Sequence, residues 1–86
     1  MYTVHLRPSA QKQLDKLAPR LRERIINRLE ELERYPRPRD ARKVAGQEDL
    51  FRIRVGDYRI VYEVHDQILI VLVIRVGHRR EVYRGL

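Results

Sequence analysis

At 86 residues the chain has room for one small domain with a single thin core, and its lack of cysteine excludes disulfides, thiolate nucleophiles, Cys-ligated zinc and iron–sulfur clusters. Hydrophobic residues make up 43%, within the globular range, and the longest apolar run, Ile68 to Ile74, is far short of the roughly 20 residues of a membrane helix. Nineteen basic against twelve acidic residues leave a net charge of +7, and apart from Lys12, Lys16 and Lys43 every basic residue is arginine, whose planar fork grips phosphate or carboxylate through two hydrogen bonds; a polyanionic partner is implied, either nucleic acid or an acidic protein.

The first residues show no basic stretch leading into an apolar one, so no signal peptide is expected and a cytoplasmic location is. Tyr2 to Leu6 alternates and predicts a short strand. Pro8 and Ser9 open a helix with Ser9 as the expected N-cap, although Lys12 stands where a capping box would have Glu or Gln. Ala10, Leu14, Leu17 and Ala18 share one face of it. Pro19 breaks this helix and suits the first turn of a second. There Leu21, Ile25, Leu29 and Leu32 form an apolar stripe that Ile26 widens, ending near Tyr35 because Pro36 disfavours helix before it. The two segments read as an αα-hairpin.

Pro36 to Asp40 is a stiff connector, followed by a weak strand expected near Ala41 to Ala45. Leu50 to Val55 alternates Phe51, Ile53 and Val55 with Arg52 and Arg54. Gly56-Asp57 is a two-residue loop with glycine first, as a type II′ hairpin requires. Tyr58 to His65 returns with Tyr58, Ile60, Tyr62 and Val64 on one face. Ile68 to Val76 scarcely alternates, which predicts an interior strand, and Gly77 is expected to end it. The fold class is therefore α+β with element order β-α-α-β-β-β: a curved, mostly antiparallel sheet carrying the helical hairpin on one face, in one domain over residues 1–86.

The hairpin fixes a register. Val55 faces Tyr58, so Arg54 faces Arg59, with Arg52 two residues along on the same face. The apolar set takes the other face, beneath the helices. Three arginines with Glu63 as the acid on their face form a candidate phosphate site. A second cluster, Gly77-His78-Arg79-Arg80-Glu81-Val82-Tyr83-Arg84, follows the interior strand. Histidine is the residue type that exchanges protons near neutrality, and tyrosine offers a ring for stacking on a base. His5 and His65 read as ordinary strand residues. No metal-ligand spacing, phosphate-binding glycine loop or Ser/His/Asp pattern stands out.

Two motifs together, Arg54-Val55-Gly56-Asp57-Tyr58-Arg59-Ile60-Val61-Tyr62 and Val76-Gly77-His78-Arg79-Arg80-Glu81-Val82-Tyr83, resemble those of the RelE branch of the RelE/ParE toxins of type II toxin–antitoxin systems. The resemblance spans the whole chain. It implies a ribosome-dependent endoribonuclease that cuts mRNA in the decoding site and inhibits translation, by attack of a ribose 2′-oxygen on phosphate, with no cofactor and no metal. It implies an acidic, RelB-like antitoxin as partner, and operator DNA bound only through the toxin–antitoxin complex. By the same resemblance Arg59 steadies the scissile phosphate, Arg79 stabilises charge on the leaving oxygen, and Tyr83 stacks on the substrate. Arg52 and Arg54 bind phosphate where the best-known members have lysines. Arginine is a poor general base, so His78 becomes the expected acid/base group. The alternatives are a ParE-like inhibitor of DNA gyrase and a non-catalytic module that binds nucleic acid or a partner.

Overall fold

The computed structural model describes residues 1–79 and Val82. Prolines punctuate its first half. Strand β1 (Thr3–Leu6) leads into helix α1 (Pro8–Asp15), and helix α2 (Pro19–Leu32) follows. Each helix starts on its proline, whose fixed φ suits a first turn and whose missing N–H is not needed there. Neither helix has a side-chain cap, and Ser9 lies inside α1 rather than capping it. Helix α1 ends before Leu17 and Ala18. The expected stop of α2 near Tyr35 holds for its hydrogen bonds: Arg34 and Tyr35 both donate to the Glu31 carbonyl as the last turn tightens. Ile25, Leu29 and Leu32 are buried, whereas Ile26 falls outside the stripe and is exposed.

Four further strands complete the sheet: β2 (Arg42–Lys43), β3 (Leu50–Val55), β4 (Tyr58–His65) and β5 (Ile70–His78). Their order is β1-β5-β4-β3-β2, antiparallel except where β1 runs parallel to β5. The nearly unalternating strand β5 is interior, as its composition requires. Its span is shifted from the expected one. Ile68 and Leu69 belong to the preceding turn, exposed, with Leu69 in the left-handed region at φ 55°. Asp66 at the head of this turn accepts from Tyr2 and, bidentately, from Arg37 at 2.7 and 3.0 Å. These bonds hold the Asp66 carboxyl down at about 2, Arg37 being the larger cause. At its other end β5 runs through Gly77 to His78.

Both helices pack on one face, with Ala10, Leu14, Ile25, Leu29 and Leu32 over Ile53, Ile60, Tyr62, Val71 and Val73. A second, smaller cluster lies on the opposite face: Leu50, Val61, Ile74 and Val82. A bulge supplies it. Val61 faces Arg75 but Tyr62 faces Val73, so Ile74 is an extra residue and the strand buries apolar groups both ways. β1 ends opposite Val73, and beyond it α1 covers the edge of β5: the Gln13 side-chain oxygen accepts the Val76 N–H at 2.8 Å. Gln13→Leu should cost about 1–3 kcal/mol by orphaning that donor, while Gln13→Glu keeps an acceptor there and should cost less. Urea denaturation of both variants measures the difference.

Among the described residues, no helix is long and apolar enough to cross a membrane.

Candidate active site

The face away from the helices carries the arginines. Gly56 at φ +59°, with Asp57 on the negative side, makes the II′ loop that the sequence requires. The pairs that follow are Val55–Tyr58, Arg54–Arg59, Ile53–Ile60 and Arg52–Val61. Directly paired residues share a face, so Arg52, Arg54 and Arg59 stand together opposite the apolar set. The sheet adds two arginines that sequence reasoning did not single out. Arg42 of β2 faces Arg52, and Arg75 of β5 faces Val61 across β4. The signal for Arg75 was a lone charge in an otherwise apolar strand.

These side chains differ in what holds them. Arg42 donates to the Arg39 and Ala41 carbonyls, at 2.8 and 3.0 Å. Arg75 donates to the Val82 carbonyl at 3.2 Å. Arg59, half-buried, has one long bond of 3.3 Å, to the Tyr58 carbonyl. Glu63 is taken up by His65 at 3.0 Å. Among the described residues no carboxylate reaches Arg54 or Arg59 within ion-pair distance. Two like charges directly opposed on a sheet destabilise it by up to about 1 kcal/mol, so the pair persists against its own repulsion and is ready for an anion.

The second cluster divides. The Arg79 N–H donates to the Asp57 carbonyl at 2.9 Å, which brings Arg79 to the end of the sheet where Arg54 and Arg59 stand. Val82 returns over the arginine face. Its N–H donates to the His78 carbonyl at 3.0 Å, and its side chain is buried over Gly77, where a Cβ would lie 3.5 Å away. Gly77 itself faces Arg59. His78 does not join them. It pairs with Tyr58, and their rings meet edge to face at 5.8 Å, on the helix-bearing side of the sheet. Tyr83 lies outside the described residues.

The chain is similar to known toxins over nearly its whole length. The family model for the ParE toxin of type II toxin–antitoxin systems, parDE, covers residues 4–83. Toxin RelG of Mycobacterium tuberculosis is 34% identical over 88 residues, spanning 96% of this chain and 97% of its own. The mRNA interferase toxin RelE of Escherichia coli K12 is 36% identical over 86 residues, spanning 95% and 90%. The isolated E. coli RelE toxin superposes with a TM-score of 0.81 at 32% identity, covering 91% of this chain and 84% of that one. The archaeal RelE–RelB complex of Pyrococcus horikoshii gives 0.82 at 29% identity, covering 94% and 98%.

A helical pair on one face of a mixed five-stranded sheet is thus the fold this chain shares with solved RelE toxins. The chain belongs to the RelE/ParE toxins of type II toxin–antitoxin systems, on the RelE branch.

Proposed function

We propose that this toxin is a ribosome-dependent endoribonuclease that cleaves mRNA and so inhibits translation in the cytoplasm. The observation that carries the reading is the Arg54–Arg59 pair, two arginines directly opposed on one face of the sheet that no carboxylate reaches among the described residues. The mRNA interferase name of the E. coli relative supports it. In the reaction a ribose 2′-oxygen attacks the adjacent phosphorus and the bond to the 5′-oxygen breaks. The products are a 2′,3′-cyclic phosphate and a 5′-hydroxyl. Arg59 holds the non-bridging oxygens as their charge grows, Arg52 and Arg54 bind phosphate, Arg79 stabilises the leaving oxygen, and Tyr83 stacks on the substrate. Guanidinium groups supply the electrostatic stabilisation, so the proposed step runs without a metal.

The placement of His78 changes one assignment. Its ring lies against Tyr58 on the face away from the arginines, so in this reading His78 takes no part in the proton transfer. The 2′-hydroxyl proton therefore passes to a Tyr83 phenolate or to a group of the ribosome, and a proton from the same group or from water completes the 5′-hydroxyl. His78→Ala should keep both the cleavage rate and its pH dependence, measured by single-turnover cleavage of ribosome-bound mRNA.

Structural relatives include complexes of RelE with RelB. The +7 charge and the arginine face fit an acidic antitoxin of that kind, through which operator DNA would be bound. Induction without antitoxin, followed by primer extension on cellular mRNA, tests the function. Cleavage within translated codons is expected. DNA breaks with intact mRNA would instead give the ParE-like gyrase reading.

A further inference from the structure

Strand β2 stops opposite Arg52, so the outer edge of β3 from Ile53 to Val55 has no partner strand among the described residues. In a two-residue hairpin the pair flanking the loop exchanges hydrogen bonds and the next pair does not. Arg54, one step beyond Val55, therefore turns its backbone N–H outward along this open edge. Leu50 obeys the same parity, its carbonyl accepting from Val44 N–H at 2.9 Å on the outer side.

Helix α2 faces this edge across a recess of about 420 Å³, lined by Arg24, Asn27, Arg54 and Gly56 among others. The Arg24 guanidinium lies over Gly56, with its two terminal nitrogens 3.8 and 3.9 Å from where a Cβ would stand. The acids of the recess are already engaged: Asp40 and Glu31 both hold Arg28. Among the described residues neither Arg24 nor Arg54 meets a carboxylate within ion-pair distance. The open edge thus offers two guanidinium groups and one backbone donor around a concavity.

We infer that this recess is a second phosphate subsite, in which Arg24, Arg54 and the Arg54 N–H hold a backbone phosphate of the RNA strand next to the one at Arg59. The inference rests on the RNA-cleaving function proposed above. A polynucleotide continues past the bond being cut, so its neighbouring phosphates need partners. The charge track from Arg59 across to Arg54 and round the hairpin tip to Arg24 follows such a backbone. An acidic peptide added as a strand fits less well. Three open residues are at the short limit for a strand, and two guanidinium groups that meet no carboxylate among the described residues suit a phosphate.

The test uses the full chain and a single-stranded RNA oligonucleotide with 2′-O-methyl groups, which binds without being cut. The slope of log affinity against log salt should shrink by about 0.7 in Arg24→Ala, the loss of one phosphate contact on a single strand. Lys12→Ala on α1 removes the same charge elsewhere and should leave the slope as in the wild type. Thermal unfolding checks that each variant is folded. An unaltered slope in both Arg24→Ala and Arg24→Glu overturns the subsite. So does an unaltered slope accompanied by weaker binding of an acidic antitoxin peptide, which would give the recess to protein. If the wild-type chain leaves mRNA intact in cells while the Arg24 slope change is present, the cleavage reading fails and the phosphate subsite stands.

Discussion

Arg59→Ala should slow single-turnover cleavage of ribosome-bound mRNA by about 10²–10³-fold, the usual cost of removing one donor aimed at charge that grows in the transition state. Arg79→Ala should do the same at the leaving oxygen. Arg59→Lys should recover little, since an ammonium keeps the charge but loses the two-pronged grip. The structure adds a control. Arg59 stands opposite Arg54 with no counter-charge among the described residues. Deleting one of two opposed cations relieves repulsion of up to about 1 kcal/mol, so Arg59→Ala should lose activity without losing stability. Denaturant midpoints measured beside the rates separate the outcomes. A variant that unfolds in step with its loss of cleavage would make Arg59 a structural residue.

Much of this site was legible because one loop fixes it. Gly56-Asp57 sets the hairpin, the hairpin sets Arg54 against Arg59, and alternation places Arg52 on the same face. What escaped lay where parity is set by something other than a turn. Gly77 reads as a strand end, yet β5 continues one residue further, and that single step decides which face His78 takes. The motif joins His78 to Arg79 in sequence, but the pleat sends its ring to Tyr58. Ile68 and Leu69 look like strand residues by composition. The bonds from Tyr2 and Arg37 to Asp66 hold the preceding residues as a longer turn, and no local pattern reports a contact made across so much chain. The bulge that lets Ile74 face the arginine side is likewise silent in a run of Ile, Leu and Val, where every register is equally apolar. Arg75 was hidden in that run although its charge marks the face.

Tyr62 gives the prediction with the largest effect on stability. Its side chain is fully buried beside Phe51, with ring centroids 5.9 Å apart, and its hydroxyl donates to the Pro36 carbonyl at 2.8 Å. One residue thereby ties the central strand to the connector after α2. Burial pushes its hydroxyl up to about 12 from an ordinary value of 10.0. Below pH 10 the folded and unfolded chains both keep the proton and the full stability is present. Between about pH 10 and 12 the unfolded chain releases its proton while the folded one retains it, so stability falls as pH rises. The loss approaches about 2–3 kcal/mol near pH 12, a large part of the 5–15 kcal/mol typical of a small domain. Tyr62→Phe should cost about 1 kcal/mol at neutral pH through the lost hydrogen bond, yet its stability should decline less steeply above pH 10. Tyr2 is also raised, chiefly by its bond to Asp66, and accounts for part of the slope that remains. Urea denaturation from pH 7 to 11.5 should therefore bring the two proteins' stabilities together as pH rises. Parallel curves would mean that the Tyr62 hydroxyl ionises as readily in the folded chain as in the unfolded one.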